Sequence, residues 1–269
     1  MNLSDFVKTK ANNAVRVLSF NVLAPVWVWT DGELRRSVKK QAFLRKQYRI
    51  TRHIKLLKKI KPDIIFLQET TPSMLAKIRA VLPEYYVPPC FSKMCWTRGN
   101  THAVNGNAIL WKRGTFLSAK CSTVFLDRVS YAAVITGILA NGKTIKLVNV
   151  HLEWNNPEKA AKQFREIFKQ SVITTQDKHV VIAGDFNMGD FNVTRYPIIP
   201  DLLRHGLYDI LNGIQTHPFT LQEYKSISHI LVRNINVVKK GVGTAKSINH
   251  CVKKFGSDHF PIFADLRTN

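Results

Sequence analysis

The sequence predicts an α+β fold in which mixed β-sheets are covered by helices. Three observations carry that expectation. Apolar runs rich in Val, Ile, Leu and Phe recur along the whole chain, as strands do. Helix-periodic segments bounded by proline lie between them. Asn141-Gly142, a strong hairpin signal, joins two of the runs, so the sheets are not purely parallel.

The elements follow in order. Strands are expected at Val15–Phe20, Ile64–Leu67, Ala108–Trp111, Tyr131–Ala140, Thr144–Val150, Val180–Ala183, His229–Val238 and Phe260–Leu266. A helix begins near Leu34, carries Ile50, Ile54, Leu57 and Ile60 at helical spacing, and stops at Pro62. Pro72 opens a helix through Val81, and Pro157 opens one through about Ser171, proline being suited to a first helical turn. No repeat or linker divides the chain. Residues 15–269 are therefore read as a single domain behind an extension of residues 1–14, a size that suits one large layered domain.

Composition narrows the class. Hydrophobic residues at 45% and charged residues at 22% match a globular protein and exclude a disordered tail. Forty Lys+Arg against 18 Asp+Glu leave a net charge of +22, which attracts polyanions such as nucleic acid, acidic membranes or phosphorylated ligands. From Leu34 to Pro62 there is no acidic residue, while Arg35, Arg36, Lys39, Lys40, Arg45, Lys46, Arg49, Arg52, Lys55, Lys58, Lys59 and Lys61 repel one another, a strain that an anionic partner relieves. Lys239, Lys240, Lys246, Lys253 and Lys254 form a second basic cluster. No apolar run approaches the ~18 residues of a membrane span, and the first 15 residues lack the apolar stretch of a secretory signal. Cys90, Cys95, Cys121 and Cys251 form no CxxC pair; they are read as packed or surface thiols rather than a zinc site with His102, and the expected setting is intracellular, cytoplasmic or nuclear.

Polar residues stand where the predicted strands end. Asn21 follows the first, Gln68-Glu69 the second, His151 the Thr144–Val150 run, and Gly184-Asp185-Phe186-Asn187 the next; Ser257-Asp258-His259 precedes the last. In α/β architectures such positions gather around a cleft. Two Asp, one Glu, two Asn and two His make an oxygen-rich set without thiolate. That suits a hard cation, Mg²⁺ or Mn²⁺, and frees the histidines for acid–base or phosphate-stabilising work.

Ser19-Phe20-Asn21-Val22-Leu23, Asp63-Ile64-Ile65-Phe66-Leu67-Gln68-Glu69, Gly106-Asn107-Ala108-Ile109-Leu110, Val148-Asn149-Val150-His151-Leu152, Gly184-Asp185-Phe186-Asn187 and Ser257-Asp258-His259-Phe260-Pro261 resemble, in order, the motifs of the endonuclease/exonuclease/phosphatase (DNase I-like) superfamily. The opening motif is most similar to the RNA-processing, deadenylase-like members. The resemblance implies a four-layer α/β/β/α sandwich of two mixed β-sheets and hydrolysis of phosphoesters with Mg²⁺ or Mn²⁺. It assigns Glu69, Asn21 and Asp258 to the metal. Asp185 matches the residue that orients or deprotonates the attacking water, Asn187 the side chain holding nucleophile and phosphate, and His259 and His151 the imidazoles at the scissile phosphate. Asn107 matches a polar position near the substrate.

The resemblance departs at Ser226-Ile227-Ser228-His229-Ile230, where the family has an Asp that supports its catalytic histidine and this chain has Ser228. Asp209 is a candidate substitute. The expected activity is a metal-dependent phosphodiesterase on nucleic acid, RNA ahead of DNA, with Arg45, Lys46 and Arg49 contacting substrate phosphates and Trp27, Trp29, Trp96 and Trp111 available for base stacking. The alternatives are a phosphatase or phospholipase acting on a small phosphate ester or lipid head group, and a nucleic-acid-binding protein with weakened catalysis.

Overall fold

Strand β1 (Val15–Asn21) is buried along nearly its whole length, as a near-continuous apolar run in a covered sheet should be. It lies parallel to β2 (Ile64–Thr70) and antiparallel to β13 (Ile262–Thr268). The computed structural model describes residues 10–30, 45–89, 91–98, 101–128, 130–189, 198–218 and 226–268, with the backbone alone at 29–30, 93–98 and 101–103. Arg35, Arg36, Lys39, Lys40 and Cys90, and the side chains of Trp29, Cys95, Trp96 and His102, lie outside what is described.

Two mixed sheets form the centre. In the first, β3 (Tyr85–Tyr86) and β4 (Ser92–Arg98) both pair with β5 (Thr101–Lys112), and β12 (Ile235–Val242) closes the far edge; the order is β12-β13-β1-β2-β5-β3. The second contains β6 (Phe116–Phe125), β7 (Tyr131–Leu139), β8 (Thr144–His151), β9 (His179–Asp185), β10 (Tyr208–Asp209) and β11 (Ser228–Arg233), ordered β10-β11-β9-β8-β7-β6. The Asn141-Gly142 hairpin is present between β7 and β8, with Gly142 at φ 80°. The expected strand at 229–238 is two strands instead. Asn234 adopts a left-handed φ of 52°, which breaks the run and carries the chain from the second sheet to the first. Strand β6 was not expected: it is an edge strand with many exposed positions, so it lacks a continuous apolar run.

Helices cover both outer faces. Beyond the short α1 (Pro25–Thr30), α2 (Lys46–Ile60), α3 (Pro72–Val81) and α6 (Ile248–Phe255) pack on the first sheet. Helix α4 (Pro157–Lys169) and α5 (Ile199–Arg204) cover the second. Thr71 and Asn156 cap α3 and α4 by accepting from Met74 N and Lys159 N, each just ahead of the proline that opens the helix. Lys61 ends α2 in a left-handed conformation ahead of Pro62. Helix α6 went unforeseen because its eight residues are too few for periodicity to register; its Ser247 cap and Gly256 terminus were its only signals.

Period-two alternation builds the layers. On β9, Val180 and Ile182 join the core under α4, while Val181 and Ala183 join the core between the sheets. The same holds for Ala132 and Val134 against Ala133 and Ile135 on β7. The result is the four-layer α/β/β/α sandwich. One polar residue sits at its centre. Asn149, fully buried, accepts from Gln68 Nε2 (2.7 Å) and donates to Leu67 O (2.8 Å) and Ala108 O (2.9 Å). All its side-chain bonds cross between sheets, so it fixes how β2 and β8 superpose.

Two further expectations meet this fold. Cys121 is disulfide-bonded rather than a thiol, and Cys251 is a buried free cysteine. Trp111 is core, tilted against Tyr86 (4.8 Å) and edge-on to Phe116 (5.5 Å), and Trp27 packs beside Leu23, Val28 and Val252. Gly184 permits the parallel β8–β9 contact: a Cβ there falls 2.0 Å from Val150 O. Gly184→Ala is therefore expected to cost about 1–3 kcal/mol in urea unfolding, the usual range for overpacking. A change below about 0.5 kcal/mol, the scale of a neutral surface substitution, contradicts this packing.

Candidate active site

Strand topology assembles the site. β1 and β2 are parallel neighbours with Asn21 opposite Gln68, and β8 and β9 are parallel neighbours with His151 opposite Asp185. The sheets face each other through β1 against β9 and β2 against β8, so four strand ends converge. The turn before β13 adds Asp258 and His259. Ser257 pins that turn by donating to Asn21 O (2.6 Å) and accepting from His259 N (3.2 Å).

Asn21 is the hub. Its Nδ2 donates to Glu69 Oε1 (2.8 Å) and to Asp185 Oδ2 (2.9 Å), and its Oδ1 accepts from Leu23 N (3.0 Å). Glu69 Oε2 accepts from Ala24 N (2.7 Å). Glu69 itself has φ 56°, at a register shift where β2 leaves β5. Bulges re-aim side chains near sites, and a left-handed non-glycine residue is a cost that the surrounding bonds must hold. Asp185, almost fully buried, places Oδ2 3.5 Å from His259 Nε2 and 3.7 Å from His151 Nε2. Its Oδ1 accepts from Asn187 N (3.1 Å). Asn187, at φ 51°, donates to Leu152 O (2.9 Å) and ties the loop after His151 to the loop after Asp185.

The electrostatics fit a divalent cation. Burial first, and the nearby charge of Asp258 second among the raising effects, push Glu69 up to about 7, against the lowering pull of His151, Asn21 and Ala24. A buried carboxylate driven toward neutrality beside a second carboxylate is the state that a hard cation relieves, and Glu69 and Asp258 carry the carboxylate oxygens for it, whereas Asn21, expected at the metal, turns its Nδ2 toward Glu69 and Asp185 and its Oδ1 toward Leu23 N. The sign for stability follows from the raised value. Glu69's contribution is intact below the ordinary carboxyl value near 4.5 and is lost as the pH rises through about 7. A cation binds the deprotonated form, so the rise in melting temperature on adding Mg²⁺ is expected to be larger at pH 8 than at pH 6. A rise independent of pH between those values contradicts this assignment of Glu69.

Arg49 requires a correction. It is buried rather than exposed to substrate: its guanidinium donates to Val22 O, Leu23 O and Gly256 O, and burial lowers its pKa to about 10 against the opposing charges of Asp258 and Glu69. It is the internal cation that ties the loop after β1 to the turn before Asp258. Helical geometry explains the change: Arg49 shares the inward face with Ile50, His53, Ile54 and Leu57, while Arg45, Lys46, Lys55, Lys58 and Lys59 are exposed. Asn107 is buried on β5 and donates to Tyr131 O (2.9 Å), with no hydrogen bond to the cluster among the described residues.

Asp209 also differs from expectation. Its Oδ2 meets His229 Nδ1 at 2.8 Å, and His229 Nε2 lies 2.9 Å from Met188 O, so Asp209 serves His229 and not His259. Burial opposes charge on His229, but Asp209 outweighs it and raises its pKa. Ser228, opposite Asp185 in the β11–β9 pairing, donates its backbone N–H to Thr216 Oγ1 (3.0 Å). Beside His259 stands His217, edge-on with ring centroids 4.6 Å apart. The sequence gives no sign of His217, and it names Asn149, Asp209 and His229 without the roles the fold gives them; a lone histidine in a loop carries no signal until the fold brings it to a site.

Comparison with known proteins gives the family. The profile of the Endonuclease/Exonuclease/phosphatase family matches residues 18–259. No curated protein sequence matches the chain. Among solved structures, the chain is similar to an endonuclease/exonuclease/phosphatase from Bacteroides vulgatus (TM-score 0.67, 19% identity, 95% of this chain and 99% of that one). It is similar also to ANGEL2, a 2′,3′-cyclic phosphatase in complex with adenosine-2′,3′-vanadate (TM-score 0.69, 16% identity, 97% and 99%), and to humanized D. rerio TDP2 (TM-score 0.64, 16% identity, 96% and 100%).

Proposed function

Because the chain belongs to the endonuclease/exonuclease/phosphatase family, whose members are hydrolytic phosphoesterases and generally depend on divalent metals, we propose that it is an Mg²⁺- or Mn²⁺-dependent phosphodiesterase that hydrolyses nucleic acid, RNA ahead of DNA. The observation that carries this reading is the convergence of Glu69, Asn21, Asp185, His151 and His259 at four strand ends and one turn of a protein with a net charge of +22. Glu69 and Asp258 would hold the cation, which when bound would neutralise charge growing on the phosphate and leaving oxygen. Asp185 orients and deprotonates the attacking water. Asn21 holds Asp185 and Glu69 in register, Asn187 positions the phosphate oxygen and nucleophile, and His259 and His151 donate to the phosphate from the side of Asp185.

The basic surface favours a polymer over a small ester, since each neutralised phosphate releases counterions. Arg45 and Lys46 are exposed at the start of α2, within a few residues of the buried Arg49 that contacts the loop beside Glu69. Trp154, 70% exposed and three residues past His151, presents a ring on which a base stacks. Replacing Arg45 and Lys46 with Gln is expected to reduce the slope of log K against log salt by about 2 and to leave dinucleotide cleavage nearly unchanged. An unchanged slope returns these residues to an ordinary solvated helix face.

The substrate class is tested by incubating the protein with labelled single-stranded RNA, single-stranded DNA, duplex DNA and an inositol phosphate, each with Mg²⁺ and with EDTA. Mg²⁺-dependent cleavage of RNA ahead of the others supports the reading. Turnover of the inositol phosphate alone supports the phosphatase alternative, and binding without turnover supports the weakened enzyme.

A further inference from the structure

We propose that His217, Asp258 and His259 form a second cation site, suited to a transition-metal ion such as Zn²⁺, that shares Asp258 with the oxygen-rich site centred on Glu69. One donor atom from each of the three residues lies within 4.8 Å of the other two. Two imidazole nitrogens and one carboxylate oxygen are a donor set for Zn²⁺ and its neighbours, where Mg²⁺ prefers oxygen throughout. A tetrahedral ion with ligands at about 2.0–2.1 Å has donors about 3.4 Å apart, so donors within 4.8 Å of one another close by no more than about 1.4 Å to hold it.

A second observation points to the same place. His259 is only 7% exposed, and its Nδ1 has no hydrogen-bond partner among the described residues, while Nε2 faces Asp185 at 3.5 Å. A buried nitrogen left without a partner is costly, and an ion is one of the few groups that satisfies it. The nitrogen assigned to the ion is Nδ1, which leaves Nε2 on the side of Asp185.

The fold holds these ligands together. Thr216, next to His217, accepts from Ser228 N at 3.0 Å and from Phe260 N at 3.4 Å. This ties the segment carrying His217 both to the start of β11 and to the turn carrying Asp258 and His259. The site does not rest on any particular phosphoester as substrate. Its ion holds His259 from behind, with open positions for water or a phosphate oxygen.

The test uses the full chain with Mg²⁺ in excess and adds Co²⁺, read by visible absorption, and Zn²⁺, read by competition with a chromophoric chelator. The wild type is expected to bind a single equivalent tightly, with the strong visible bands of four- or five-coordinate, nitrogen-ligated Co²⁺. His217→Gln is expected to weaken Zn²⁺ by more than the roughly 10–100-fold that loss of an outer partner costs. Glu69→Gln is expected to leave this binding in place. Wild-type protein giving only the weak spectrum of six-coordinate Co²⁺ overturns the proposal, and this readout needs no variant to fold. Unchanged Zn²⁺ affinity in folded His217→Gln overturns it as well, as does abolition of binding by Glu69→Gln, which assigns the ion to the other site.

Discussion

Glu69→Gln loses on the order of 10²-fold or more in turnover, the equivalent of an electrostatic contribution of about 3 kcal/mol or more to the transition state. The shape of the side chain is kept, and the charge that attracts the cation is removed. Stability changes little in the metal-free protein. Gln forgoes one acceptor for Asn21 Nδ2 or Ala24 N, but it also removes a carboxylate that burial has pushed up to about 7. Two measurements separate these effects: kcat with saturating Mg²⁺, and the melting temperature with and without Mg²⁺. The variant is expected to melt at the same temperature in both conditions. Near-normal turnover in Glu69→Gln removes Glu69 from the site.

Asp265→Ala produces the largest loss of stability. Asp265 is fully buried on β13 and holds Arg16 on β1 through Nε (2.7 Å) and Nη2 (2.9 Å), while also accepting from Ala11 N (3.2 Å). Truncating it strands a guanidinium in the interior, which costs about 3–5 kcal/mol. For a chain of this size that lowers the melting temperature by roughly 10 °C. Activity per folded molecule at low temperature is expected to persist, because Arg16 and Asp265 lie near the starts and not the ends of the parallel strands β1 and β2. A drop of less than about 2 °C means that the pair is solvated or replaced, since even 1 kcal/mol shifts such a protein by about 2–4 °C.

The strands that carry the site were legible because they are interior and read as short apolar runs: β1, β2, β8 and β9 are buried along most of their length. Their terminal polar residues stood out against that background, which is why Asn21, Glu69, His151 and Asp185 were identifiable before any fold was known. What the sequence hid is relational. Whether Arg49 faces in or out depends on one turn of α2, and a run of cations masks the single member that points to the core. Asp209 and His229 are twenty residues apart and meet only because β10 pairs with β11. His217 lies in irregular chain, where no periodicity marks it, and gains meaning only beside His259. The break at Asn234 is a single left-handed residue inside an apolar stretch, indistinguishable in composition from a continuing strand.

The most direct test of the central claim, that these strand ends form a metal-dependent nuclease centre, is single-turnover cleavage of 5′-labelled single-stranded RNA. Wild-type protein is compared with Asp185→Asn, each with Mg²⁺ and with EDTA. Asp185 Oδ2 is the atom shared by Asn21, His151 and His259, so its charge is central to orienting the water and the imidazoles. The expected result is cleavage by the wild type with Mg²⁺ alone, with EDTA abolishing it and Asp185→Asn reducing it by about 10²-fold or more, the scale of a lost general base. Cleavage that survives EDTA, or that proceeds at the wild-type rate in Asp185→Asn, contradicts the claim.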